Sequence, residues 1–241
     1  VTSRRSQLLE GLGVYASVTL LCALLVRGRS LHPLVAAHGA TAVGALFLLA
    51  PALAARWRAR DLADYGVRLA PLGRSLALAL GACVLIFPLF ALGFYGYVHG
   101  RCAMGAVSGC GGLPPLGRFV ARLPAALPSN VAAYGFTQLV GVALPEELFY
   151  RGYLQELFCR VWPRPASVGS RRWPVVTGVL ALQGLLFALT HVATDGRWTR
   201  MSVFFPALLF GWMRGVTGSI VAGALFHAAC NVVMATIERS L

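Results

Sequence analysis

The sequence predicts an all-α, polytopic transmembrane helical bundle of about seven spans. Two observations carry that class. The 241 residues are 58% hydrophobic and only 12% charged, with a mean hydropathy of +0.72, and apolar runs near or above the roughly 18 residues of a spanning helix recur from end to end. One signal peptide accounts for one such run, not for the whole series. The Val at position 1 fits an alternative start codon or a trimmed N-terminus.

The expected elements follow in order. Residues 8–26 form a first span behind Arg4 and Arg5, with Glu10 near its end. After the turn at 27–30, residues 31–55 form a second. Residues 56–74 are dense in Arg and Asp and read as a surface connector, with a short interfacial helix at 61–67. Residues 75–98 form a third span, ending in Phe94, Tyr95 and Tyr97 at the headgroup belt. A Gly- and Pro-rich loop, 99–128, carries Cys102 and Cys110. They can close a small disulfide if the loop faces an oxidising compartment and stay free thiols otherwise. The fourth span begins at Ser129 and Asn130, residues suited to a helix start, and runs to 161. Pro145 sits inside it and tends to bend it. A basic loop at 163–173 leads to a fifth span at 174–192, a shorter sixth at 201–214, a turn at 215–218 and a seventh span at 219–237. Within a single membrane domain, 1–128 supplies three spans with their loops, and 129–241 is the expected catalytic core.

The net charge is +13, and all 21 basic residues are Arg. In a soluble protein this would suggest nucleic acid. Between apolar helices, arginines set topology and touch anionic headgroups instead, so the lipid bilayer is the expected partner and nucleic acid is not. With the N-terminus cytoplasmic, twelve arginines fall on the cytoplasmic side and eight on the other. The expected location is therefore a bacterial inner membrane, with the chemistry opening to the extracytoplasmic side. The six cysteines show no C-x-x-C spacing, and no structural zinc site is expected.

Ionisable groups at bilayer depth cost several kcal/mol unless paired or facing a polar cavity, which makes them functional candidates. Glu146, Glu147 and Arg151 form one such set. Glu147 and Arg151 stand four apart, the spacing at which side chains meet on one helix face, which leaves Glu146 pointing elsewhere and free to work. Phe187 and His191 share a face of the fifth span, and His227 and Asn231 share a face of the seventh. Taken singly, an intramembrane His or Asn is commonly an interhelical hydrogen-bonding residue; the combination is the specific signal. Glu10, His32, His38 and His99 read as interfacial, and Asp195 as a turn residue.

Glu146-Glu147-x-x-x-Arg151, with Gly152 after it, Phe187-x-x-x-His191 and His227-x-x-x-Asn231 resemble the three motifs of the CAAX-protease and bacteriocin-processing (CPBP, or Abi) family of intramembrane glutamic endopeptidases. The resemblance covers about 129–235. In its Arg-only, small, Gly-rich style the chain is also similar to the myxosortase branch, proposed to process C-terminal sorting tails. The resemblance implies a peptidase with neither cofactor nor metal, acting on a membrane-tethered protein or peptide. Glu146, with His191, would activate a water. His227 and Asn231 would donate to the oxyanion, Glu147 with Arg151 would support Glu146, and Phe187 would shape the pocket. Three alternatives stand beside it. The same His and Glu residues suit zinc in type, though Asn is a poor zinc ligand and no His-Glu-x-x-His occurs. The chain is otherwise a non-catalytic immunity or scaffold protein of the same fold, or a small transporter with a proton relay.

Overall fold

Residues 3–105, 110–162 and 178–241 are described by a computed structural model. The basic loop at 163–173 and the start of the expected fifth span at 174–177 lie outside the described residues. All regular structure among the described residues is helical. Helices α1 (Arg4–Arg27), α2 (Pro33–Trp57) and α3 (Leu72–Ala103) precede a short α4 (Leu116–Arg122). A long helical rod then runs without a break from Val131 to Val161. It comprises α5 (Val131–Thr137), a π-helical stretch (Gln138–Ala143), α6 (Leu144–Glu147), a second π-helical stretch (Leu148–Leu154) and α7 (Gln155–Val161). The chain ends with α8 (Gly178–Asp195), α9 (Phe204–Thr217) and α10 (Val221–Ser240). Helices α1, α2, α3, α8 and α10 are each long and apolar enough to cross a bilayer; the rod and α9 complete the bundle. The protein is a multi-pass helical membrane protein.

Local chemistry explains where the helices begin. Ser3 caps α1 through the Ser6 amide, His32 Nδ1 accepts from the Leu34 amide ahead of α2, and Asn130 Oδ1 accepts from the Ala133 amide at 3.0 Å. Each satisfies one of the donors a helix start leaves open. His32, expected only to be interfacial, is thus a helix cap. Pro145 has no amide hydrogen to give Gly141, and the rod answers with π-helical turns on both sides of the Glu pair instead of a break.

Burial grades across the bundle. Only 11% of the α3 span is buried, against 44% of α10. Leu80, Val84, Leu85 and Leu89 lie on the open surface of α3, the arrangement lipid permits and water does not. The core lies where α1, α2 and α8 enclose the second half of the rod, around Phe47, Phe149, Tyr150, Tyr153, Leu157 and Phe158. A second cluster joins α3, α9 and α10 through Phe210, Met213 and Phe226.

Four expectations need correction or sharpening. The connector 56–74 is not a free surface loop. Its 3₁₀ turn (Leu62–Tyr65) is capped by Asp61, Tyr65 is fully buried, and its backbone is tied to the α9–α10 junction. The Ile220 amide donates to Gly66 O (3.1 Å), Ser219 Oγ to Arg68 O, and Arg68 Nε to Gly218 O (2.8 Å). Gly66 has φ +80°, and a Cβ there would lie 2.5 Å from Arg214 Nε, so only glycine fits this closure. Glu10, expected at the interface, is likewise not a free carboxylate. Its buried carboxylate accepts from Arg58 Nε (2.8 Å) and Tyr153 OH (3.3 Å), with Arg60 at 3.6 Å, clamping α1 to the connector and the rod. Finally, part of the expected loop 99–128 is helical. The 32 residues of α3 extend about 48 Å, more than the hydrocarbon core needs. Its end carries His99 on Tyr95, Phe119 of α4 against Tyr95, and a Cys102–Cys110 disulfide. The expected turn at 215–218 is also shorter, since α9 continues to Thr217 and Gly218 alone takes the left-handed conformation.

Candidate active site

The middle of the rod presents both carboxylates to α10. Glu147 is completely buried, and its Oε1 lies 2.9 Å from Arg151 Nη1, one turn on, and 3.1 Å from His227 Nδ1. Glu146 turns toward the same imidazole from the other side, with Oε2 3.7 Å from His227 Nε2. The two carboxylates do not point to different places: His227 stands between them. Close approach is possible because α10 carries Gly223 one turn before His227. A Cβ at that position would sit 2.7 Å from Glu147 Oε2. Gly152 answers a similar demand on the other side of the rod, where a Cβ would lie 2.7 Å from Tyr65 O.

Arg151, fully buried, is held between rings as well as beside Glu147. Its guanidinium carbon is 4.4 Å from the Phe187 ring centre and 4.9 Å from that of Phe210, and Nη2 donates to Ala207 O at 3.4 Å. Rings facing a desolvated cation stabilise it through their quadrupoles. Phe210 also stacks on His227 (4.9 Å, 14° between planes), while Phe187 meets it edge-on at 5.9 Å.

His191 lies on the far side of Phe187, ring centres 4.4 Å apart, and is half-buried. Its Nδ1 is 3.0 Å from Phe187 O. A carbonyl only accepts, so Nδ1 carries the hydrogen and Nε2 of the neutral ring keeps its lone pair. His191 makes no hydrogen bond to Glu146; Phe187 lies against both His191 and His227. The turn of α8 that bears it is fixed by its neighbour Thr190, which accepts from Tyr150 OH (2.8 Å) and bonds Thr19 Oγ1 (2.9 Å).

Asn231 stands one turn beyond His227 on α10 and donates through Nδ2 to Gln138 Oε1 at 2.9 Å. Asp195 closes α8, engaged by Arg200 and by Arg197 at 3.8 Å. Among the described residues, no three His, Cys, Asp or Glu side chains are grouped so as to hold a metal ion. The arrangement is closed at the Arg151 end and half-open toward His191 and Asn231. Chemically it offers a carboxylate, two imidazoles and an amide in a site shielded from bulk water.

Three residues of this site escaped the sequence reading. Gln138 carried a signal, an amide within an apolar run eight residues before Glu146. Gly223 and Phe210 carried none, since glycines and phenylalanines are common throughout the chain.

Residues 128–233, which include every residue of this cluster, match the family model described as type II CAAX prenyl endopeptidase, Rce1-like. No curated protein and no solved structure matches the chain.

Proposed function

Given that the chain carries an Rce1-like type II CAAX endopeptidase domain and is a glutamic intramembrane protease, we propose that it hydrolyses a peptide bond of a membrane-tethered protein or peptide at Glu146. The observation that carries the reading is the convergence of Glu146 and Glu147 on one imidazole inside the helical bundle, with Arg151 paired directly to Glu147 and acting on Glu146 only from farther away. That asymmetry leaves Glu146 as the carboxylate able to take a proton. Glu146 removes a proton from water, His191 assists through the lone pair of Nε2, and the resulting hydroxide attacks the scissile carbonyl; the proton held by Glu146 then passes to the amide nitrogen as the C–N bond breaks and the amine leaves. His227 and Asn231 donate to the oxyanion. Nδ1 of His227 faces Glu147 at 3.1 Å, so Nε2 is the nitrogen left to meet the oxyanion. Phe187 forms the wall between the two histidines. Residues 129–241 are the catalytic core in this reading, and 1–128 the scaffold around it.

The rival use of the same residues is zinc ligation. A metal-independent peptidase keeps its full cleavage rate in membranes washed with a strong chelator. Loss of cleavage that Zn²⁺ restores would favour the rival.

The site opens to the extracytoplasmic side in this reading. The C-terminal ends of α1, α3 and α8 lie at one end of the bundle, opposite the arginine-rich connector. The disulfide at Cys102–Cys110 fits an oxidising compartment there. In a cysteine-free background, Trp198→Cys, at an exposed position beside α8, should react with an impermeant maleimide on intact inner membranes. Labelling only after permeabilisation would reverse the orientation. Removal of C-terminal sorting tails, the task proposed for the myxosortase branch, is supported only by the Arg-only, Gly-rich style of the sequence.

A further inference from the structure

Gln138 opens the first π-helical stretch of the rod and faces α10 across the bundle. Its Oε1 accepts the 2.9 Å hydrogen bond from Asn231 Nδ2. We propose that Gln138 is a positioning residue that orients the Asn231 amide so that its second N–H points at the reacting carbonyl. The inference rests on the reading of Asn231 as an oxyanion donor.

Three observations support it. An Asn side chain has two amide hydrogens, and among the described residues Asn231 directs one to Gln138 and makes no other side-chain hydrogen bond. Left without Gln138, the amide would rotate freely about its last torsion, and a donor serves an oxyanion only within a few tenths of an ångström and about 10–20° of its productive geometry. The His227 ring one turn away is held in the same manner, its Nδ1 bonded to Glu147 and its face covered by Phe210. The rod therefore places one acceptor behind each proposed donor of α10: Glu147 behind His227, and Gln138 behind Asn231. The first π-helical stretch begins at Gln138 and lies between the two acceptors, and the second begins directly after Glu147. Widened turns of this kind commonly mark functional positions.

The test is a double-mutant cycle, with purified protein in lipid nanodiscs cleaving the membrane protein that accumulates uncut in cells carrying Glu146→Gln. Gln138→Met keeps the length and removes the acceptor. It should lower kcat about 10-fold, a fraction of the ~10²-fold lost with a whole oxyanion donor, and leave KM within about twofold. Gln138→Glu restores an acceptor oxygen and should recover most of the rate. On an Asn231→Ala background, Gln138→Met should cost less than about a further twofold. The proposal is overturned if Gln138→Met keeps wild-type kcat, if its effect is equally large without the Asn231 side chain, or if KM alone rises. Wild-type kcat in Asn231→Ala itself would instead remove the oxyanion reading on which the proposal stands.

Discussion

Glu146→Gln is expected to slow peptide hydrolysis by about 10³-fold, within the range a general base contributes, while thermal stability stays close to wild type. The amide has the size of the carboxylate but takes no proton from water. Stability should survive because Glu146 is not the partner of the buried guanidinium: Arg151 pairs with Glu147 at 2.9 Å. The measurement pairs cleavage rates of the two proteins with their melting curves in the same nanodiscs. Activity retained in Glu146→Gln would remove the general base from the account. Activity lost together with the fold would make Glu146 structural.

Arg151→Met should act in the opposite way, through the fold first. It leaves the fully buried Glu147 carboxylate without its cation, a loss of about 3–5 kcal/mol. It also removes the side chain that fills the space between Phe187 and Phe210. Melting should fall by roughly 10 °C for a chain of this size. The paired change Glu147→Leu with Arg151→Met removes both charges and should recover much of the stability. It should not recover activity, because His227 then has no carboxylate at Nδ1. A single Arg151→Met protein as stable as wild type would show that the pair contributes nothing to the fold.

Five of the seven expected spans were legible because hydropathy alone marks them, and Asn130 marked the start of the rod through its capping chemistry. The catalytic candidates were legible for a related reason: charged and imidazole side chains stand out in apolar runs, and helical spacing linked them in pairs. What spacing cannot show is which pairs meet across helices. Glu147 and Arg151 were four apart, but the contact of both carboxylates with His227 depends on Gly223 admitting the rod to α10. The connector reads as surface because each of its ties to Gly218, Ser219 and Ile220 ends on a backbone carbonyl, which leaves no pattern of paired side chains. Glu10 reads as interfacial because its three partners come from the connector and the rod, far away in sequence. Pro145 announced a perturbed helix; that the perturbation takes the form of π-helical turns on both sides of the Glu pair is a matter of packing.

The most direct test of Glu146-dependent proteolysis compares the membrane proteomes of cells carrying the wild-type protein and Glu146→Gln, matched for expression, with C-terminal peptides read by mass spectrometry. The account predicts at least one membrane-tethered protein that is shortened in the wild type and persists uncut in Glu146→Gln. Identical termini across the two proteomes, with both proteins present at equal levels, would contradict it.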